Sequence, residues 1–485
     1  MLSSNLIDQY KQMGLSADAA RQRISRARAD LRYLSGLSFP KRARFLYLSD
    51  HFRKPVYWEA LYRVVKKHSP AYGTALVGLE IRDGIYPQNY LPIILGAPVR
   101  QQGQIASSVI LERLEAIDIL KVVSFDGLGE CVYISENGIF PCPQLTKLRS
   151  RLITENVLLD AIKRWAGRMN IASPEATTTR APSTLPKFGT CHFDLCGPSY
   201  LNPLVEFNNN KIQPGFFVSD VVLGVTLDIN GIRPFTRKCA MLKALRNLPK
   251  FLPMLVADNF TPEALRECRS QGIIATRPDT IFGKDVAEAL TSLLDTLNNS
   301  AAIAAVNPDR IEKLFSGISK IEGAASNLRG ALFELIVGHC VRTLEAGSID
   351  LGIQVYDNIN GKNAEVDVRL VKERDVIIYE CKGYQPSSKV SFDEINEWIT
   401  KKIPTIYSAT RQESRFDGTI RFEFWTCGKF HADAIELLAK TKSSVKKYEL
   451  DWKDGSQVKK YSSRIRASGI KRILNEHFFK HPLKL

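Results

Sequence analysis

The sequence predicts a multidomain protein, with a mostly helical N-terminal region followed by two α/β domains. Three observations lead there. The chain has 485 residues, enough for about three or four domains of ordinary size. The stretch Asn170–Pro186 is rich in Ser, Thr, Ala and Pro and has little apolar periodicity, as an extended, mobile linker would. Beyond it, short apolar runs of strand length alternate with segments of amphipathic helical spacing. The segments are therefore 1–90, 91–168, the linker 169–186, 187–303 and 304–485.

The first segment opens with helical spacing from Leu6 to Met13. Gly14 supplies a turn, and Ser16 is a good N-cap for a helix running from Ala17 to Arg32. That helix carries Arg21, Arg23, Arg26 and Arg28. A short helix, a glycine turn and a basic helix make the helix-turn-helix pattern, whose arginines reach phosphates and bases; an ordinary solvated helix surface is the other reading. In the second segment an amphipathic helix spans Gln104–Ile117. Leu120–Ser124 and Cys131–Ile134 then bracket a glycine-containing turn. A helix followed by a hairpin resembles the end of a winged-helix module. Residues 143–167 follow as a long helix with Leu145, Leu148, Leu152, Leu159 and Ile162 on one face.

In segment 187–303, Gly215–Leu223 reads as a strand bearing Asp220, and Gly231–Lys238 as the next strand. Phe251–Ala257 is a buried strand, and a helix starts at Thr261 with Pro262 at its first position. Ile273–Ala275 and Lys284–Leu297 complete the order as a strand and a helix.

The last segment holds the chemistry. Gly330–Val337 reads as part of a helix bearing Glu334. Ala364–Leu370 and Val376–Gly383 read as strands joined by the polar turn Val371–Asp375. Side chains alternate across a strand, so Glu380 and Lys382 share a face and Cys381 points away. Paired as a hairpin, the strands bring Asp367 and Glu380 into one small volume. Carboxylates set in apolar strands are costly to bury without partners or a cation. An amphipathic helix at Ser391–Ile403, a strand at Ile420–Trp425 and a helix near Ala432–Lys440 follow.

This arrangement resembles the PD-(D/E)XK nuclease superfamily, the restriction-endonuclease-like fold, over roughly 308–485. Asp367 stands at the family's strand acid, Glu380 and Lys382 at its Glu-x-Lys, and Glu334 at its helix glutamate; no proline precedes Asp367. The resemblance implies phosphodiester hydrolysis with Mg²⁺ or Mn²⁺. Hard oxygen ligands suit such ions: the carboxylates of Asp367 and Glu380, the backbone carbonyl of Cys381, and Glu334 through water or a second ion. Lys382 would orient the attacking water. The segment 187–303 resembles the same fold again, with Asp220 and Lys238 in place and Thr236 where a glutamate belongs. It is expected to be a degenerate copy or an unrelated α/β domain.

Composition sets the partners. Net charge is +16, which favours polyanions. Lys459, Lys460, Arg464 and Arg466 lie near Tyr448, Trp452 and Tyr461, a mixture suited to nucleic acid. The nine cysteines are odd in number and irregular in spacing, as reduced cytosolic thiols are. Cys191, His192 and Cys196 approach zinc-ligand spacing but have no second half. No run of eighteen apolar residues and no signal-peptide core occurs, so a cytoplasmic protein without membrane contact is expected. The expected activity is Mg²⁺-dependent DNA cleavage by a homodimer, alongside partner proteins of a restriction, phage-defence, transposon or repair system. The alternatives are a nuclease for RNA, single strands or branched DNA, and a non-catalytic DNA-binding regulator.

Overall fold

The computed structural model describes residues 1–27, 30–37, 39–135, 145–208, 211–298, 324–413, 416–465 and 468–479. The chain forms two compact units of mixed α/β content. The first comprises Met1–Ser124, Glu130–Gln144 and Ile162–Arg277; the second comprises Phe125–Gly129, Leu145–Ala161 and Pro278–Leu485. Among the described residues no helix is long and apolar enough to cross a membrane.

In the first unit, helices Ser3–Gln12 and Ala17–Arg26 flank the Gly14 turn. The Ser16 hydroxyl caps the second by accepting the Ala19 N–H at 3.2 Å. This helix ends at Arg26 rather than Arg32 because Leu31–Tyr33 pairs as a strand with Leu46–Leu48. Two further helices, Pro55–His68 and Pro70–Glu80, form the interior; every residue from Ala71 to Leu79 is buried. Helix Ser107–Ala116 leads into strands Leu120–Phe125 and Gly129–Ile134, and Ile85–Pro87 joins the latter's other edge.

A five-stranded sheet completes the unit. Its strands are Thr178–Thr179, Leu195–Ser199, Gly215–Leu227, Phe251–Phe260 and Ile274–Thr276, adjacent in space in chain order. The first three run antiparallel to their neighbours and the last two parallel. Parallel neighbours need crossovers, and helices Arg233–Lys243 and Pro262–Ser270 supply them.

Two sequence-based expectations change here. Gly231–Lys238 is not a strand, since helix Arg233–Lys243 occupies it. Pro234 sits in the first turn, where its missing N–H is harmless. The helix buries Phe235, Lys238, Cys239, Met241 and Leu242 along one stripe. The expected linker 169–186 lies inside the first unit and includes a strand and the buried Arg180.

The second unit holds helix Ala324–Glu345 and another five-stranded sheet. Its strands, again in chain order, are Ser348–Asp357, Lys362–Val371, Asp375–Lys382, Thr419–Thr426 and Glu449–Lys453. The first three are antiparallel to their neighbours and the last two parallel. One crossover runs through helices Phe392–Glu397 and Ile403–Gln412, and the other through Ala432–Ser444. Ser391 caps the first crossover with a reciprocal Glu394 capping box. Val366, Val376, Ile378, Phe422 and Phe424 meet Ile395, Trp398 and Ile406 in the core between sheet and helices. The stretch holding Trp452, expected beside nucleic acid, is partly core structure: Glu449–Lys453 is the sheet's fifth strand.

Candidate active site

The hairpin Lys362–Lys382 sets the site. Val368 pairs with Tyr379 across its antiparallel ladder, so the next residues outward, Asp367 and Glu380, face each other across the two strands. The Cys381 N–H donates to Asp367 Oδ2 at 2.7 Å, which fixes the Asp367 carboxylate against the neighbouring strand. Two residues on, Lys382 returns to the same face, and its Nζ donates to Glu380 Oε1 at 2.8 Å. Asp367 and Glu380 are 5% and 4% exposed, whereas the Lys382 side chain is 31% exposed. The sequence-predicted trio is thus brought together, with its acids buried and its lysine side chain partly exposed.

Other elements close around it. Helix Ala324–Glu345 presents Glu334, whose Oε1 accepts from Arg149 Nη2 at 2.9 Å. Arg149 also pairs through Nη1 with Glu365 Oε1 at 2.6 Å. Asp126 accepts the Glu365 N–H at 2.9 Å. A π-helical turn, Trp398–Lys402, lies in the crossover after the third strand. Its last residue, Lys402, donates to both oxygens of Glu380 at 3.0 Å and lies 3.8 Å from Asp126.

No protein family, curated protein or solved structure matches this chain.

Asp126, Glu334, Glu365, Asp367 and Glu380 face Arg149, Lys382 and Lys402. With every group ionised, the acids exceed the bases by about two charges at close range. The excess falls on Asp367. Burial, then the charges of Glu380 and Glu334, hold its carboxyl well above the usual aspartate range. Burial also opposes the charge on Glu380, but Lys402 and Lys382 outweigh it and its carboxyl titrates low. Lys382 loses by burial and gains more from Glu380 and Asp367, so its ammonium is held firmly. A hard divalent cation would match both the missing charge and the oxygen donors. Among the described residues, no three His, Cys, Asp or Glu side chains are grouped to hold a metal ion as they stand; the lysines and Arg149 take up their oxygens instead.

Lys402, Arg149 and Asp126 were not identified from sequence. Lys402 left a signal. It continues the helical stripe of Ile395 and Trp398, both buried, so a charge stands where an apolar residue belongs. Arg149 and Asp126 are far from the motif in the chain and left none.

The expected nucleic-acid contacts are dispersed. Arg21 pairs with Asp18 at 2.9 Å, Arg23 lies over the Tyr10 ring, and Arg26 is exposed. Lys459 and Lys460 are exposed on helix Gly455–Ser462, and Arg464 lies over Tyr461. Arg28 and Arg466 lie outside the described residues. The eight described cysteines are buried free thiols. Cys191 and Cys196 have thiols pushed up by burial, Cys196 to about 12.

Proposed function

We propose that the protein is a metal-dependent endonuclease of the PD-(D/E)XK kind, cutting DNA at the site built on Asp367, Glu380 and Lys382. The observation that carries the reading is the facing carboxylate pair with its charge deficit, edged by the partly buried Lys382 from the strand of Glu380. A bound Mg²⁺ or Mn²⁺ would supply Lewis acidity and a hydroxide at neutral pH. Asp367 and Glu380 would hold it, and Glu334 would assist once Arg149 is drawn aside.

The chain's own residues do the rest. Lys382 remains protonated, so its role is to orient water and offset phosphate charge rather than to take a proton. Lys402 is the resident counter-charge of Glu380 and must release at least one of its oxygens before that carboxylate can serve as a ligand. The freed ammonium then lies within reach of a phosphate. Gly14, Ser16 and the exposed arginines of Ala17–Arg26, with the helix and hairpin at 107–134, form helix-turn-helix-like and winged-helix-like modules that recruit duplex. The net charge of +16 supports that partner.

The test is cleavage of plasmid, linear duplex, single strands and RNA with Mg²⁺, Mn²⁺ or EDTA. Duplex DNA should be cut only with metal, and Asp367→Ala or Lys382→Ala should abolish cutting while DNA binding persists. Wild-type cutting by Asp367→Ala would overturn the proposal. Tight duplex binding without turnover on any substrate would favour a regulator.

A further inference from the structure

The two five-stranded sheets share a plan. In each, strand order follows chain order, three antiparallel strands precede two parallel ones, and helices make both crossovers. The likeness extends to single residues. In the second sheet the ladder pair Val368–Tyr379 is followed by Asp367 and Glu380. In the first sheet the pair Leu195–Ser219 is followed, in the same sense, by Asp194 and Asp220. The next N–H on the third strand then donates back to the first acid in both: Cys381 to Asp367 Oδ2 at 2.7 Å, and Val221 to Asp194 Oδ2 at 2.9 Å. A lysine from the following crossover meets the second acid in both: Lys402 on Glu380 at 3.0 Å, and Lys238 on Asp220 at 2.5 Å. These correspondences replace the alignment expected from sequence. Asp220 stands for Glu380, not for Asp367, and Thr236 stands on a helix with no counterpart in the strand motif.

The differences decide what the first copy can do. The position of Lys382 is taken by Val222, which is buried in the apolar core. Lys238 is fully buried, and its ammonium donates to Ile93 O at 3.0 Å and His192 O at 2.9 Å as well as to Asp220. An ammonium has three N–H groups, so all of them are used. Asp194 Oδ1 accepts from the buried Arg180 at 2.8 Å, and Asp220 Oδ1 accepts the Asp194 N–H at 3.1 Å. Two acids face two bases, and each of the four carboxylate oxygens has a donor. The first copy therefore lacks the negative excess and the strand lysine of the second.

We infer that residues 178–276 are an internal repeat of the catalytic fold whose site is sealed by Lys238 and Arg180, leaving one cation centre among the described residues of each chain and one strand break per encounter. The single-break consequence rests on the nuclease reading; the sealed site does not. Cutting both strands then requires a second chain or a second encounter.

Iron-directed backbone cleavage tests this on the full wild-type chain. Fe²⁺ replaces Mg²⁺, ascorbate and peroxide generate hydroxyl radicals at the bound iron, and mass spectrometry maps the breaks. Breaks near 367 and 380–382, with none near 194 or 220–222, are expected. Breaks near 194 and 220 would overturn the inference. Breaks at neither place would count against the catalytic reading while remaining the result required of the sealed copy. As a second arm, Asp367→Asn should reduce DNA cutting to background; residual cutting that disappears when Asp220→Asn is added would also overturn it.

Discussion

Replacing Lys402 by methionine should weaken the protein without metal and tighten its hold on metal. The change keeps most of the side-chain length and removes an ammonium that donates to both oxygens of a carboxylate only 4% exposed. Stripping a buried ion of its sole partner costs about 3–5 kcal/mol. Here Lys382 still holds Glu380 at 2.8 Å, and the Lys402 side chain is 20% exposed. The loss should therefore be about 2 kcal/mol. The same deletion removes the competitor for the Glu380 oxygens. At a Mn²⁺ concentration 100 times Kd, binding returns about 2.7 kcal/mol, enough to offset the deficit. Urea unfolding followed by tryptophan fluorescence, in EDTA and in Mn²⁺, reads both effects, and calorimetry gives the Kd. Weaker Mn²⁺ binding by Lys402→Met than by wild type would refute the argument, because Lys402 would then be supporting the metal site rather than filling it.

Three further outcomes follow from the same geometry. Asp367→Asn should abolish Mn²⁺ binding yet stabilise the metal-free protein by about 1 kcal/mol, as relief of a strained functional site does. Because the folded Asp367 carboxyl is raised, its stabilising contribution is full below the ordinary aspartate range and is lost as pH rises through the raised value. The advantage of Asn should thus grow with pH in EDTA and vanish in acid; a pH-independent difference in urea melts would contradict it. Mn²⁺ affinity in the wild type should climb with pH through the same range, since metal displaces the Asp367 proton; calorimetry at several pH values checks this. Gly127→Ala should destabilise the protein by about 1–2 kcal/mol, because Gly127 has φ +76° and an added Cβ would strike Glu365 Oε2. Thermal melting measures the loss, and an unchanged midpoint would remove the tip of the hairpin from the site.

The parts that were legible in the sequence share a local cause. Ser16 and Thr261 are caps whose partners lie three residues away, so a short window contains the whole interaction. Asp367, Glu380 and Lys382 are joined by one tight hairpin, and strand alternation alone puts them on one face. Gly231–Lys238 is of strand length on its own, but Pro234 opens a helical stripe that runs past the end of that window to Leu242. The segment 169–186 has the composition of a linker, yet Arg180 is drawn inside by Asp194, fourteen residues on. Arg149 meets Glu334 across 185 residues; no local pattern encodes such a meeting, because its energy appears only after the sheet and helices have assembled.

The π turn at Trp398–Lys402 makes the aim of one amine a question of residue count. A turn of this kind holds one residue more than its α-helical equivalent. Removing one residue between Ile395 and Trp398, with the π turn retained, would swing every later side chain by about 100° around the axis. Lys402 would then leave Glu380 while Ile403 took its bearing, placing a branched hydrocarbon against a carboxylate. Length, more than residue type, is the constraint written into this crossover.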